Sequence, residues 1–341
     1  AETQFEGKVQ RFTSADDLLS SGTVDGVIIA TPHYEHPPLA IKAFQAGLHV
    51  LVEKPAGVYT KQVKEMNAAA AQSDRVFGIM FNQRTNPLYQ KVRDLVQSGE
   101  VGEIKRINWI ITDWYRSQSY YDSGGWRATW AGEGGGVLLN QAPHQLDLWQ
   151  WIFGMPTRIR AFCSVGKFHE IEVEDDVTAY LEYANGSTGV FVTSTGDTPG
   201  TNRLEVSGTR GKLVVEHDEL MFWRLRVDER TFNREFTGGF GAPECWRIEI
   251  PTSKVVSAHP GITQNWVNAC LKGTPLLAPG EEGINGLTLS NAMYLSTWTD
   301  GWVELPIDDE LFYEKLQEKI STSTCPKKSG EGKVLNVDGT F

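Results

Sequence analysis

Two side chains in this sequence are best placed to handle a proton, Lys54 and His144. Lys54 closes the run His49-Val50-Leu51-Val52-Glu53-Lys54-Pro55. Such a β-branched apolar run forms a strand of a parallel sheet, and Pro55 marks its end. Ligands of open α/β sheets bind beyond the carboxyl ends of the strands, which is where this puts Lys54. His144 lies within Gly132 to Gly154, where four glycines broken by Glu133 lead into an apolar helix stopped by Gly154 and Pro156. Pro143 is tolerable only in the first turn. Helical spacing places Asn140, His144 and Asp147 on one face of that helix. A histidine titrates near neutral pH and can take a hydroxyl proton, and an ammonium beside the same oxygen steadies the developing alkoxide. The reaction that needs such a pair is oxidation of a secondary alcohol, with a nicotinamide as hydride acceptor. Read singly, His144 is a packed core residue and Lys54 a charge at a strand end. Asp147 reads as structural, bonded to backbone or to an arginine. No H-E-x-x-H motif or Cys/His cluster supports a metal site.

The elements that must position this pair come in two grammars. Up to about Asp113, strands alternate with helices. Strands are expected at Val9 to Phe12, Val24 to Thr31, His49 to Glu53, Arg75 to Phe81 and Lys105 to Thr112. Helices are expected after Ser14, from Pro37 to Gly47, from Thr60 to Ser73 and from Pro87 to Ser98, with the tail of another over residues 1–8. That alternation means a parallel sheet. Beyond it, Val177 to Ala184 and Ser187 to Thr193 flank Asn185-Gly186, the strongest short-range hairpin signal. A second hairpin turns at Gly208 to Gly211, and two helices follow near Ile262 to Leu271 and Gly283 to Thr299. The fold class expected is an α/β Rossmann-like parallel-sheet domain over 1–113, truncated at its N-terminus. An α+β domain with a largely antiparallel open sheet follows over 114–320, and a polar arm over 321–341.

Composition narrows the partners. With 341 residues, 40% of them hydrophobic, the chain is globular and of two-domain size. No run of about 18 apolar residues suggests a membrane span. A net charge of −11 argues against nucleic acid and anionic membranes. Cys163, Cys245, Cys270 and Cys325 form no C-x-x-C pair, which fits free thiols and a cytoplasmic location.

Five motifs, in order, carry a resemblance. They are Ala30-Thr31-Pro32 followed by His36; Glu53-Lys54-Pro55; Gly134-Gly135-Gly136 leading to Asn140-x-x-x-His144; Glu174-Asp175-Asp176; and Gly208-Thr209-Arg210-Gly211. Together they resemble the Gfo/Idh/MocA family of NAD(P)-dependent sugar and cyclitol oxidoreductases, across most of the chain. The resemblance implies Lys54 and His144 as the catalytic pair. It implies Ala30, Thr31, Pro32, His36, Glu53, Lys54, Asn82 and Arg127 at a cofactor, NAD or NADP with NAD preferred. His36 reads equally as a surface residue at a helix N-terminus. The family commonly has an aspartate where this chain has Asn140. An amide cannot take a proton, so Asn140 should position substrate or histidine. The substrate implied is a sugar, glycoside or cyclitol such as inositol. A non-catalytic sugar- or nucleotide-sensing relative and an NAD-dependent redox-neutral glycosidase are the alternatives. A homodimer or homotetramer formed through the antiparallel sheet is expected.

Trp109, Trp114, Tyr115, Tyr120, Tyr121, Trp126 and Trp130 crowd into 22 residues, with Trp149 and Trp151 beyond. Aromatic faces suit the C–H faces of sugar rings. Tyr115, Arg116, Trp126 and Asn140 are the expected substrate contacts, with at least two of the aromatics on the cleft. No Gly-x-Gly-x-x-Gly turn precedes Val24, although a dinucleotide-binding sheet opens with a strand, that turn and a helix, a unit of roughly 30 residues. The expectation is a natural protein with a further strand–turn–helix–strand before this chain, holding the residue that chooses NAD or NADP.

Overall fold

The computed structural model describes residues 9–324. The expected helix tail over 1–8, most of the expected arm and Cys325 lie outside the described residues. Three strands, β1 (Gly26–Ile29), β2 (His49–Val52) and β3 (Phe77–Ile79), form a parallel sheet in that order. Val50, Leu51 and Val52 are all buried, as a strand covered on both faces requires. The helices His36–Gln45 and Thr60–Ala71 connect the strands. Ser14 caps the helix Ala15–Ser20 by accepting from the Asp16 and Asp17 N–H groups.

Two expectations about this half fail. Val9 to Phe12 is not a strand but bend and coil, and among the described residues β1 is an edge strand, with Ile28 half-exposed. The strand expected at Lys105 to Thr112 forms as β4 (Ile104–Ile111), yet it belongs to the other sheet. Ile107, Trp109 and Ile111 are buried, while Arg106, Asn108 and Ile110 are not. That period-2 alternation marks a strand with one face on the core, unlike the continuous apolar run of a doubly covered strand. The expected division at residue 113 therefore falls on the far side of this strand.

The second sheet has nine strands. Beside β4 it contains β5 (Arg158–Val165), β6 (Glu174–Glu182), β7 (Thr188–Ser194), β8 (Asn202–Gly208), β9 (Gly211–Glu216), β10 (Glu219–Leu225), β11 (Cys245–Ile250) and β12 (Val303–Glu304). The order is β11-β10-β9-β8-β4-β7-β6-β5-β12. Only β4 and β7 pair in parallel; the other pairings are antiparallel. Gly186, at φ +83°, makes the β6–β7 turn. The helix Gly283–Trp298 packs on β5 and against the helix Pro143–Phe153.

The glycine-rich stretch leads into two helices, where one was expected. Val137–Asn140 is a single turn, and Pro143 starts a separate helix ending at Phe153. Proline supplies no N–H, so a continuous helix breaks in front of it. Asn140, His144 and Asp147 consequently do not share one helical face. Asp147 turns to Arg84, whose Nε and Nη2 donate to Oδ2 at 2.8 Å and Oδ1 at 2.6 Å. Arg84 Nη1 also donates to Glu282 Oε2 at 2.6 Å and to the Leu277 carbonyl at 3.1 Å. The structural role expected of Asp147 is what the fold shows. Arg84 and Asp147 are both 1% exposed. Breaking a buried, forked pair from one side strands a charge and costs about 3–5 kcal/mol. Asp147→Ala should therefore lower the unfolding free energy by that amount in a denaturant titration, and Arg84→Met in the same chain should recover part of it. A loss under about 1 kcal/mol would put the pair in the class of exposed ion pairs.

Candidate active site

β2 ends at Val52, so Lys54 leaves the sheet at the carboxyl end of its middle strand. Lys54 Nζ donates to the backbone carbonyl of Asn140 at 2.8 Å. The single turn Val137–Asn140 thus places its last carbonyl where the lysine can reach it. Burial pushes the Lys54 ammonium down from its ordinary range, and the Glu53 and Glu133 carboxylates pull it back up. His144, in the first turn of the next helix, meets the edge of Phe81 with ring centroids 6.4 Å apart. Burial, then the charge of Lys54, then His259, hold His144 well below the ordinary histidine range. It is neutral at neutral pH, and its Nδ1 has no partner among the described residues.

His144 forms part of the wall of a cleft of about 640 Å³, together with Asn82, Asp113, Trp114, Arg116, Asn202 and His259. Lys54 is not on that wall; the structure relates it to His144 through charge. Asn82 lies just past the end of β3. Its Nδ2 contacts His259 Nδ1 at 3.1 Å, and its buried Oδ1 has no partner among the described residues. An orphaned acceptor beyond a strand end suits the ribose or carboxamide donors of a nicotinamide nucleotide. The residues on this side of the sheet therefore fit that end of the cofactor.

The other expected cofactor residues divide. Ala30 and Thr31 border a cavity of about 150 Å³ beside β1, which Leu18, Leu19 and Leu39 also line. Pro32 follows them at the N-terminus of a single turn, His33–Glu35. His36 is neither on the surface nor open to a ligand. It is buried, with Nδ1 2.8 Å from the Pro55 carbonyl and Nε2 2.8 Å from the Thr31 carbonyl. It ties the end of β1 to the end of β2. Glu53 accepts the Lys54 N–H at 3.2 Å. Arg127 Nη1 donates to the Tyr120 hydroxyl at 2.7 Å, and its guanidinium lies over the Tyr120 and Trp126 rings.

The expected substrate contacts need correction. Arg116 is on the cleft wall with its buried Nε unpartnered. Tyr115 and Trp126 are not on that wall. Tyr115 is half-exposed, and Trp126 packs edge-on to His33 and under Arg127. Of the crowded aromatics only Trp114 lines the cleft, joined by Tyr89 from an earlier helix. Trp109, Trp130 and Trp149 are core residues, because composition alone cannot tell a ring-stacking platform from a packed interior. The Asn140 side chain turns to Glu133, with the Tyr120 hydroxyl 3.4 Å from its Oδ1. Sequence reasoning passed over Glu133, Asn202, Asp218 and His259. Glu133 carried a signal, being the one charged residue inside a glycine run.

Two buried carboxylates hold the frame. Glu174 accepts from the Gly136 N–H at 2.9 Å, the Leu138 N–H at 2.9 Å and the Tyr294 hydroxyl at 2.7 Å. Asp175 accepts from the Lys167, Phe168 and His169 N–H groups and from His169 Nδ1. His169 Nε2 in turn meets the Arg116 carbonyl at 2.8 Å.

Fold and site together define a nicotinamide-dependent dehydrogenase. Residues 2–81 match the oxidoreductase family with an NAD-binding Rossmann fold, and residues 89–214 match the GFO/IDH/MocA C-terminal domain. The chain belongs to the Gfo/Idh/MocA oxidoreductase family. The trans-1,2-dihydrobenzene-1,2-diol dehydrogenase of Bos taurus is 30% identical over 72% of this chain and 76% of its own length. The levoglucosan dehydrogenase of Pseudarthrobacter phenanthrenivorans is 25% identical over 85% of this chain and 82% of its own. A solved structure of the WlbA dehydrogenase from Bordetella pertussis, in complex with NADH and UDP-GlcNAcA, aligns with a TM-score of 0.74. It is 27% identical, and the alignment covers 90% of this chain and 87% of that one.

Burial pushes Glu174 up from 4.5 to about 7, against the pull of its hydrogen bonds. A carboxyl that holds its proton more tightly when folded contributes stability that is complete below the unfolded value and lost as pH rises through the folded one. Unfolding free energy should therefore decline between pH 4.5 and about 7 with a slope that Glu174→Gln lacks. The same slope in both proteins would assign it to other groups.

Proposed function

We propose that this enzyme oxidises a secondary hydroxyl of a ring polyol, a sugar, glycoside or cyclitol, with Lys54 and His144 as the catalytic pair. One observation carries the reading: a neutral histidine with an unpartnered ring nitrogen forms part of a cleft wall under the field of a lysine ammonium. The bound nicotinamide nucleotide supplies the hydride acceptor. The His144 imidazole accepts the hydroxyl proton, a task for which a base that is unprotonated at neutral pH is ready. The Lys54 ammonium stabilises the negative charge that grows on the same oxygen. Arg116, Asn202 and Asp113 on the cleft wall give donors and an acceptor for the remaining hydroxyls, and Trp114 a face for the ring C–H groups. Relatives named levoglucosan dehydrogenase, inositol 2-dehydrogenase and trans-1,2-dihydrobenzene-1,2-diol dehydrogenase support a ring substrate. We take NAD over NADP because the solved relative holds NADH, and the cytoplasm as compartment because Cys163, Cys245 and Cys270 are free thiols.

Absorbance at 340 nm with NAD or NADP and a panel of sugars and cyclitols tests the reaction. His144→Ala and Lys54→Ala should each lower turnover at least about 10²-fold with unchanged circular dichroism. Wild-type turnover in His144→Ala would leave that residue a packing role only. Bond cleavage in a glycoside without net absorbance change would favour redox-neutral chemistry.

We also propose that a second copy of this chain covers the open face of the nine-stranded sheet. Phe162, Thr178, Val192 and Ile110 lie in one register row across β5, β6, β7 and β4. Phe162 and Ile110 are exposed in that row, and Tyr180 in the adjoining one. An apolar row on an open antiparallel face is the kind of surface that homodimers bury. Light scattering at micromolar concentration should give twice or four times the chain mass. Phe162→Asp should shift the species towards the monomer, and a monomeric wild type would overturn the assignment.

A further inference from the structure

We propose that Glu133 is a positioning residue whose buried carboxylate, bonded to the Asn140 side chain, is a counter-charge of the Lys54 ammonium beside that of Glu53. The proposal rests on the reading of Lys54 as the cation at the substrate oxygen. Where the family resemblance leads one to expect an aspartate, this chain offers the amide of Asn140, which carries no charge. The structure has a carboxylate one bond further out. Glu133 is 1% exposed. Its Oε1 accepts from Asn140 Nδ2, and its Oε2 accepts from the Ala128 N–H at 2.6 Å. Burial pushes the Glu133 carboxyl up, and the Ala128 and Asn140 donors, then Arg127 and Lys54, pull it back down; both hydrogen-bond partners donate, which suits the ionised form. On its other side, the backbone carbonyl of Asn140 accepts from Lys54 Nζ at 2.8 Å. Asn140 is thus held by Glu133 at its side-chain amide and by Lys54 at its backbone carbonyl, which keeps the anion and the cation on either side of one residue.

The surrounding charges leave Glu133 little to compete with. Arg127 Nη1 is 4.0 Å from Glu133 Oε1 but is committed to the Tyr120 hydroxyl at 2.7 Å. The charged groups that act on Lys54 are Glu53, Glu133, Arg127 and Arg116. The histidines that sense its charge are His33, His36 and His144, and all three are held below the ordinary range, first of all by burial. Two anions therefore face two guanidinium groups around a buried ammonium, and removing Glu133 leaves the cations in excess. Glu53 acts on Lys54 ahead of Glu133 and remains in the variant, but it is the more exposed of the two, with its side chain 25% accessible, so it offsets only part of the loss. Lost counter-charge makes a buried lysine release its proton at lower pH.

The test uses Glu133→Gln, which keeps the size and the acceptor for Ala128 and removes the charge. The alkaline limb of kcat/KM should move to lower pH, with roughly tenfold lost at a fixed pH on that limb for each unit moved. The acid limb should stay in place. Glu133→Asp should keep the wild-type limb, and Glu133→Gln combined with Asn140→Asp, which hands the charge to the neighbouring position, should restore it. A second readout does not depend on turnover. The pH at which Lys54 becomes acylated by acetic anhydride, followed by peptide mass, should fall in Glu133→Gln and recover in the double variant. A folded Glu133→Gln protein with an unmoved limb and an unmoved acylation pH would overturn the proposal and leave Glu133 as a clasp for Ala128. Wild-type turnover in Lys54→Ala would instead overturn the role given to Lys54, and the acylation pH would still decide the role of Glu133.

Discussion

The site depends on how closely three glycines let other parts of the chain approach. A methyl group on Gly134 would collide with Val58, on Gly135 with the Tyr294 hydroxyl and on Gly136 with the Glu174 carbonyl. Gly134, at φ +85°, also has a backbone conformation that side chains disfavour. Because no side chain intervenes, β6, the helix Gly283–Trp298 and the segment after β2 converge on one point. The Glu174 carboxylate fills it, taking the Gly136 and Leu138 N–H groups and the Tyr294 hydroxyl. These are the orphan donors at the start of the single turn that ends at Asn140. The anchored turn presents its last carbonyl to Lys54, and the helix that restarts at Pro143 carries His144 to the cleft.

Around that anchor, burial and charge separate the two members of the pair. Both groups are pushed towards their neutral forms by the loss of water. Lys54 has carboxylates nearby that oppose this, whereas the charge of Lys54 pushes His144 further the same way. The same low-dielectric surroundings therefore yield a charged lysine beside a neutral histidine. A second set of buried bonds, from Arg84 to Asp147, Glu282 and the Leu277 carbonyl, fixes the histidine's helix against the end of β3.

The parts of this arrangement that could be read along the chain are those written in short spacings. Lys54 was legible because a β-branched run and a proline mark a strand end within seven residues, His49 to Pro55. His144 was legible because the glycines before it and the stop signals after it lie in one stretch. The substrate contacts were harder: an aromatic residue has the same sequence signature on a cleft wall as in a core, and Trp114 and Trp109 are separated only by which way the backbone turns.

By itself, then, the sequence determined two sheet grammars, the hairpin at Asn185-Gly186, the family motifs, and the places of Lys54 just past a strand and of His144 in a helix after the glycine run. Each of these is encoded by residues close together, where steric and hydrogen-bond preferences act without help from the rest of the chain. Only the tertiary structure decided that β4 joins the large sheet, that His36 spends both ring nitrogens on carbonyl oxygens, and that Asn140 turns away from His144 to Glu133. Those outcomes depend on partners far away in sequence or on the direction a side chain takes after a proline break. Burial and pairing energies across such distances are settled by packing, which no local spacing records.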